Sequence, residues 1–124
     1  PDYYGGTFTD ENGTFVITVT GNREEHKQHF TEILGTENFK VETVRYSYRQ
    51  LMQVMDNIDA FLMSSTIPEN HPLMDSFAGA YPDVKENRVK VLLTKVDDAT
   101  IRLFKREVID SPLVVFEKGE QPAL

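Results

Sequence analysis

The alternation of apolar and polar residues predicts strands at the start of the chain. Phe15, Ile17 and Val19 recur with period two, which is the pattern of a strand with one buried face. A second short strand-like segment precedes them, and Gly13, which follows Asn12 between the two segments, accepts a positive φ at little cost. The pattern therefore predicts a β-hairpin.

A helical repeat follows this hairpin. Asn22, with Glu25 three residues later, is typical of a helix N-terminus. Phe30, Ile33 and Leu34 then recur at spacings of three and four, so we expect them to form the face that is buried against the sheet.

The next segments predict a third strand and a long helix. Residues 39–44 are strand-like, and Ser47 and Gln50 form a capping box at the start of the longest helix. The apolar residues of this helix lie on one widened stripe: Leu51, Val54, Met55, Ile58, Phe61 and Leu62. We expect the helix to end near Met63 and residues 64–76, which contain two prolines, to form a loop.

The pattern of the first third of the chain returns later. Residues 79–83 resemble residues 6–10 at an offset of 73, and beyond the turn the offset is 74. The second offset matches the pairs Phe15–Val89, Ile17–Val91, Val19–Leu93, Phe30–Phe104, Leu34–Val108 and Val41–Val115. The second helix is expected to bury Ile101, Phe104 and Val108. A preserved order of hairpin, helix and strand indicates an internal duplication.

These elements predict an α+β fold of two ββαβ units joined by a long central helix. Each unit is expected to contain a three-stranded antiparallel sheet covered by a helix, with the third strand returning beside the first hairpin strand through a right-handed crossover. Within a single domain at 1–124, we expect the first unit at 5–46, the connecting helix at 47–63, the loop at 64–76 and the second unit at 77–118.

Composition and charge narrow the possible functions. A chain of 124 residues with 40% hydrophobic and 27% charged residues is typical of one soluble globular domain. The net charge of −7 disfavours a sequence-independent nucleic-acid binder, which needs a cationic surface. The absence of cysteine excludes a disulfide scaffold and a thiolate metal site. No apolar run is long enough to span a membrane, and we expect any signal peptide to have been removed or never to have existed.

Candidate catalytic and metal-binding residues form no recognisable site in the sequence. His26 and His29 are three residues apart, but they lack a third ligand at a characteristic spacing and are expected on the solvated helix surface. His71 is expected to be a surface residue of the loop. The acidic pair Asp97 and Asp98 is best explained as the start of a helix. We therefore expect no cofactor, no bound metal and no enzymatic activity.

Three segments resemble the pro-regions of the alpha-lytic protease and streptogrisin family. Residues 4–10 and 15–20 are similar to that family's Gly-Gly-aromatic-x-Asp hairpin and its valine-rich strand ending in Thr. Residues 44–51 resemble its Val-Arg-x-Ser-x-x-x-Leu run into a long central helix. Residues 81–91 resemble its second hairpin, aromatic-x-Asp-x-x-x-Asn-Arg-Val-x-Val. The segments follow the family's order and extend over nearly the whole chain.

This resemblance implies a non-catalytic pro-domain of a secreted chymotrypsin-like serine protease. Such a pro-domain acts as an intramolecular folding chaperone and then remains bound as an inhibitor. The implied partner is the cognate protease domain, in cis or in trans, and no nucleic acid or membrane partner is expected. An exposed edge of the second sheet is expected to add to a protease hairpin. The resemblance also implies that the C-terminal tail enters the protease active site as a product-like strand; the tail consists of Gly119, Glu120, Gln121, Pro122, Ala123 and Leu124.

Two alternatives remain open at this point. The tail has no hydrophobic pattern, so a frayed terminus is an equal interpretation of it. The whole chain is alternatively a free-standing extracellular interaction module of the same fold. A small enzyme is disfavoured by the lack of a catalytic motif. A catalytic His, Asp and Gly-x-Ser-Gly sequence encoded downstream of Leu124 would favour the protease pro-region.

Overall fold

The computed structural model describes residues 2–64 and 71–121. These residues form an α+β fold with the elements β1 (Tyr4–Thr9), β2 (Phe15–Val19), α1 (Arg23–Leu34), β3 (Lys40–Thr43), α2 (Tyr48–Leu62), α3 (Pro72–Ser76), β4 (Phe77–Asp83), β5 (Arg88–Leu93), α4 (Asp98–Glu107) and β6 (Val114–Lys118). The predicted order of two ββαβ units with a long helix between them is confirmed.

The chain divides into two compact units. Unit 1 comprises residues 1–51 together with 84–87, and unit 2 comprises residues 52–83 together with 88–124. The division falls inside α2, whose first turn belongs to unit 1 and whose remainder belongs to unit 2. Leu51 in unit 1 and Val54 and Ile58 in unit 2 are buried, as the apolar stripe predicts, whereas Leu62 at the end of the helix is 37% exposed.

Each unit contains a three-stranded mixed sheet. The strand order is β1-β2-β3 in unit 1 and β4-β5-β6 in unit 2. The hairpin strands pair antiparallel, and the third strand pairs parallel to the second. The prediction of a wholly antiparallel sheet, with the third strand beside the first, is therefore wrong.

The composition of the edge strands explains this strand order. Pro82 in β4 has no N–H to donate, and a proline within a sheet is confined to an edge strand or a bulge. Gly5 and Gly6 leave the interior of β1 with little side chain to pack. The apolar strands β2 and β5 consequently occupy the centre, and a helical crossover returns the chain parallel to the strand that it left.

The two sheets repeat one another in register. Both hairpins carry an irregularity at the equivalent place, between Tyr4 and Gly6 in β1 and between Phe77 and Gly79 in β4. These positions are 73 residues apart, as the sequence offset predicts. A local irregularity that recurs at the same strand position supports the internal duplication.

The third strands depart from the predicted offset by one residue. Val41 lies beside Ile17, and Phe116 lies beside Val91. The structural counterpart of Val41 is therefore Phe116 and not Val115, because the segment between the second and third strands is one residue longer in unit 2.

The crossover helix of unit 2 packs closely on its sheet. Phe104 of α4 is 1% exposed, and its ring meets that of Phe116 edge to face at 5.3 Å. Ile101 in α4 and Val108 at its C-cap are half-buried. Of the three residues predicted to be buried, only Phe104 is fully so.

The crossover helix of unit 1 packs more loosely, and part of its prediction is wrong. Phe30 is half-buried against a core formed by Ile17, Val19, Phe39 and Val41. Ile33 and Leu34 are 64% and 47% exposed, although the spacing predicted that they would be buried. Phe39, from the segment after α1, and Tyr3 complete this core, so the last turn of the helix is left outside it.

The helix termini follow the predicted capping pattern. Asn22 Oδ1 accepts hydrogen bonds from the first turn of α1, and Gly35 ends that helix with φ 68°. The N–H of Ser47 donates to Gln50 Oε1 at 2.9 Å, and the N–H of Gln50 donates to Ser47 Oγ at 3.2 Å. Asp97 caps α4 by accepting from the N–H of Thr100. Local sequence therefore determines where these helices begin.

The segment 64–76 contains a helix where the sequence predicted a loop. Its N-cap is His71, whose Nδ1 accepts from the N–H of Leu73 at 3.2 Å. Pro72 occupies the first helical turn, where its fixed φ is favourable. His71 is thus a half-buried capping residue and not a simple surface residue. Within the described part of the chain, no helix combines the length and the apolar character that crossing a membrane requires.

Candidate partner-binding surface of unit 2

The outer edge of β6 offers unpaired backbone groups. The N–H of Gly119 donates to Leu93 O at 2.9 Å, and the N–H of Val89 donates to Leu113 O at 2.8 Å. The backbone N–H and C=O groups of successive strand residues point to opposite edges of the strand. Those of the odd-numbered residues of β6 are therefore directed toward β5. Phe116 and Lys118 therefore point away from β5, and among residues 2–64 and 71–121 no hydrogen bond reaches their N–H and C=O groups. We call these four groups the β6 edge.

An ion pair between a buried lysine and an exposed glutamate joins β5 and β6 on the face opposite α4. Lys90 of β5 is 5% exposed, and its Nζ lies 2.5 Å from Glu117 Oε1. A buried ammonium group requires a close anionic partner to offset its loss of hydration. The pair ties β6 to the central strand through side chains in addition to the backbone ladder.

The first residues of the tail are held in place. Gly119 extends the β5–β6 ladder, and a Cβ on this residue would lie 2.8 Å from Leu92 Cβ. Gln121 Nε2 donates to Met74 O and to Phe77 O, at 2.9 Å each. Gly119 and Gln121 are therefore bonded to the end of the sheet, which differs from the frayed terminus considered above. Glu120 between them is exposed.

The remaining tail positions of the predicted partner-binding segment cannot be placed on this surface. Pro122, Ala123 and Leu124 lie outside the described residues. The chain reaches them from a fixed point, since Gln121 is bonded to the last turn of α3 and the first residue of β4.

The histidines have structural contacts and do not converge. His26 stacks on Tyr3 with 4.2 Å between ring centroids, and His29 lies 5.8 Å from Phe30 in a tilted arrangement. In the part of the chain that the structure describes, no three His, Cys, Asp or Glu side chains come close enough to hold a metal ion. The groups described above that have no hydrogen bond at this surface, within residues 2–64 and 71–121, are the N–H and C=O groups of the β6 edge.

Sequence reasoning missed two anchoring side chains. Gln121 was identified as part of the tail, but nothing in its neighbours signalled that its amide would bond two carbonyls 44 and 47 residues away. Asn87, within unit 1, is 5% exposed; its Oδ1 accepts from the N–H of Tyr46 and its Nδ2 donates to Tyr46 O, both at 2.8 Å. A signal for Asn87 existed, because the offset of 74 aligns it with Gly13 of the first hairpin turn.

Two family models match the chain in consecutive segments. A model described as a Pro-like N-terminal domain matches residues 1–44, and one described as a Pro-like C-terminal domain matches residues 49–119. No match was found among curated proteins. The second match ends at Gly119, the residue that closes the β5–β6 ladder. Both descriptions point to a pro-region, and the chain belongs to the Pro-like family, with an N-terminal and a C-terminal Pro-like domain in that order.

Proposed function

We propose that the chain is the non-catalytic pro-region of a secreted chymotrypsin-like serine protease of the alpha-lytic protease and streptogrisin kind. It assists the folding of that protease and then inhibits it. The proposal is supported by the two Pro-like matches and by the resemblance of the hairpins and central helix. The observation that carries it is the β6 edge, which is followed directly by an anchored tail.

Strand addition at the β6 edge is the proposed mode of binding. A protease strand placed beside β6 satisfies the backbone groups of Phe116 and Lys118 and adds a fourth strand to the sheet of unit 2. The edge-to-face contact between Phe116 and Phe104 keeps β6 in place before the partner arrives. A preorganised edge binds more tightly because less conformational entropy is lost on association.

The same surface accounts for both chaperone and inhibitor activity. Chymotrypsin-like proteases are dominated by long-range β pairing, which makes folding slow. A surface complementary to the native-like protease stabilises the folding transition state, and it also binds the folded enzyme, which it stabilises by mass action. The anchored tail then directs its last residues toward the active site from the fixed position of Gln121.

Refolding in trans tests the chaperone role. The protease encoded in the same precursor is diluted from denaturant with and without this chain, and the yield of active enzyme is measured. We expect the yield to rise and excess chain to inhibit the product. If the chain neither raises the yield nor inhibits, or if the gene encodes no protease, the free-standing interaction module becomes the better account.

A proline substitution tests the β6 edge itself. Lys118 is exposed and its N–H points away from β5, so Lys118→Pro removes an edge donor without removing a ladder hydrogen bond. We expect Lys118→Pro to lose both refolding assistance and inhibition. Lys118→Ala, the matched control, removes the same charge and should retain both. Equal activity of the two variants would rule out strand addition at β6.

A short deletion tests the tail. Removal of residues 119–124 would also delete the Gly119 and Gln121 hydrogen bonds, so the sharper variant lacks only residues 122–124. We expect it to inhibit more weakly while its unfolding midpoint is unchanged. Unchanged inhibition would contradict insertion of the tail into the active site and leave strand addition standing.

A further inference from the structure

We propose that unit 1 has a second docking edge: the outer edge of β3 binds an extended segment of a partner protein that carries Lys or Arg opposite Glu42. This inference goes beyond the proposed function, because it concerns another sheet and does not require that the partner be a protease.

The backbone of β3 is unpaired on its outer side. The N–H of Val44 donates to Val19 O at 2.8 Å, and Val19 lies beside Thr43 in the parallel register. By alternation, Lys40 and Glu42 also direct their backbone groups toward β2, whereas Val41 and Thr43 direct theirs outward. Within the described residues, no hydrogen bond reaches these outward N–H and C=O groups.

The start of this free edge is defined by Lys27 of α1. Its Nζ donates to Phe39 O at 2.5 Å and to Glu37 O at 3.2 Å, and it lies 3.7 Å from the centroid of the Phe39 ring. The outward carbonyl of Phe39 is therefore already occupied. An added strand has its hydrogen-bonding partners at Val41 and Thr43.

One concave surface lies along this edge, and a second lies over the sheet and reaches β3 only at Glu42. The one on the α1 side has a volume of about 370 Å³ and is lined by Arg23, Glu24, Lys27 and residues 39–42. The other has a volume of about 310 Å³ and is lined by Phe8, Asp10, Glu11, Asn12, Glu42 and Lys85. Alternate side chains of a bound strand point to opposite faces, so one set is placed at the first concavity and the other set lies beside Glu42.

The charges on the second concavity select a cationic residue. Lys40 Nζ lies 3.2 Å from Asp10 Oδ2, and Lys85 Nζ lies 4.0 Å from Glu11 Oε1. The exposed carboxylate of Glu42 has no ion-pair partner among the described residues. The net charge of −7 also favours the approach of a cationic segment.

The hydrogen-bonding register places the partner's side chain directly at Glu42. An antiparallel strand that satisfies all four groups of Val41 and Thr43 leaves its middle residue opposite Glu42 in a non-hydrogen-bonded pair, the arrangement with the closest side chains. A second copy of β3 in this register would place glutamate opposite glutamate, which is unfavourable. A different protein with Lys or Arg at that position is therefore the favoured occupant.

The test uses a blocked peptide of alternating Val and Thr with a central Lys, and a matched peptide with a central Glu. Each is titrated into the ¹⁵N-labelled Lys118→Pro chain, so that the β6 edge does not compete. We expect the Lys peptide to shift the amide resonances of Val41 and Thr43 and to bind about tenfold more tightly than the Glu peptide. Equal affinity, or shifts located elsewhere, would overturn the proposal.

Three variants separate backbone pairing from charge. Thr43 is exposed with an outward N–H, so Thr43→Pro should abolish binding while Thr43→Ala retains it. Glu42→Lys should reverse the peptide preference, which keeps the proposal testable if Thr43→Pro fails to fold by circular dichroism. Binding to Thr43→Pro equal to that of Thr43→Ala, or no reversal in Glu42→Lys, would refute it. Concentration-dependent dimerisation that Thr43→Pro abolishes, measured by sedimentation, would instead assign this edge to a second copy.

Discussion

Unit 1 and unit 2 share one topology but differ in how the crossover helix holds the sheet. In unit 2, α4 inserts a fully buried phenylalanine, Phe104, which packs edge to face on Phe116 of the third strand. In unit 1, α1 contributes no buried residue, and Phe30 is half-buried. There the core is completed by Phe39, which precedes the third strand.

The two units therefore share their backbone arrangement more closely than they share the elements that fill their cores. The hairpin irregularity and the strand order recur in both sheets. A core can be filled from different elements as long as volume and polarity are suitable. Unit 1 consequently has a helix with an exposed apolar end at Ile33 and Leu34, and unit 2 does not repeat this feature in α4.

The third strands of the two sheets, β3 and β6, also differ in their surroundings. β3 directs the backbone groups of Val41 and Thr43 outward, and β6 directs those of Val114, Phe116 and Lys118 outward. β3 has a concave surface between it and α1, whereas β6 leads directly into the anchored tail. The equivalent backbone edges therefore differ in the surfaces that surround them.

The largest expected effect is a difference in stability between variants of the two crossover helices. Phe104→Ala removes a fully buried ring and should lower the free energy of unfolding by roughly 3–5 kcal/mol. Phe30→Ala removes a half-buried ring and should cost about 1–2 kcal/mol. Urea denaturation followed by far-UV circular dichroism measures both. Equal losses would mean that α1 and α4 hold their sheets equally well.

A second effect concerns the equivalent turn residues of the two hairpins. Gly13 and Asn87 have φ values of 79° and 58°, so both are left-handed. Asn87→Ala should cost about 3 kcal/mol, from backbone strain and the loss of two hydrogen bonds to Tyr46. Gly13→Ala has open space around its Cβ and should cost only the strain, about 1–2 kcal/mol.

Asn87→Gly separates the two contributions. It retains the left-handed conformation and loses the side-chain hydrogen bonds, so its denaturation midpoint should lie between those of the wild type and Asn87→Ala. A midpoint equal to the wild type would show that the bonds to Tyr46 contribute nothing to stability.

The smallest effect is a pH dependence that distinguishes the helix caps. Hydrogen bonds from the Thr100 hydroxyl and N–H, with Lys95 nearby, lower the pKa of Asp97 from 3.8 to about 2. Because the folded state favours the carboxylate, the stabilisation is complete above the unfolded pKa of 3.8 and is lost as the pH falls through about 2. The corresponding cap of α1, Asn22, does not titrate.

Thermal unfolding between about pH 5 and pH 2 measures this difference. Asp97→Asn should reduce the acid sensitivity, and Asn22→Asp should add to it. Some sensitivity should remain in Asp97→Asn, because the N–H of Thr14 and the ammonium of Lys40 also lower the pKa of Asp10. Identical pH profiles for the wild type and Asp97→Asn would contradict a role for this carboxylate.

The candidate site was predictable in part. The apolar pattern identified β6 as the last strand, and the resemblance drew attention to the tail. The bonds from Gln121 to Met74 and Phe77 could not be foreseen, because they join residues with no shared local pattern. β3 is an edge strand in the predicted order as well, but only the parallel register with β2 shows that Val41 and Thr43 direct their backbone groups outward.

The six strands, the helices α1, α2 and α4 with their N-terminal caps, and the duplication follow from local sequence patterns, whereas α3 does not. Period-two alternation depends on side-chain directions within one strand. The helix caps depend on hydrogen bonds within a few residues of Asn22, Ser47 and Asp97. Both can therefore be interpreted from local sequence. The tertiary structure alone decided that β3 and β6 lie parallel to the central strands, that Ile33 and Leu34 remain exposed, and that Gln121 holds the tail. These outcomes depend on which distant segments compete for the same core volume and backbone groups, and no local pattern encodes that competition.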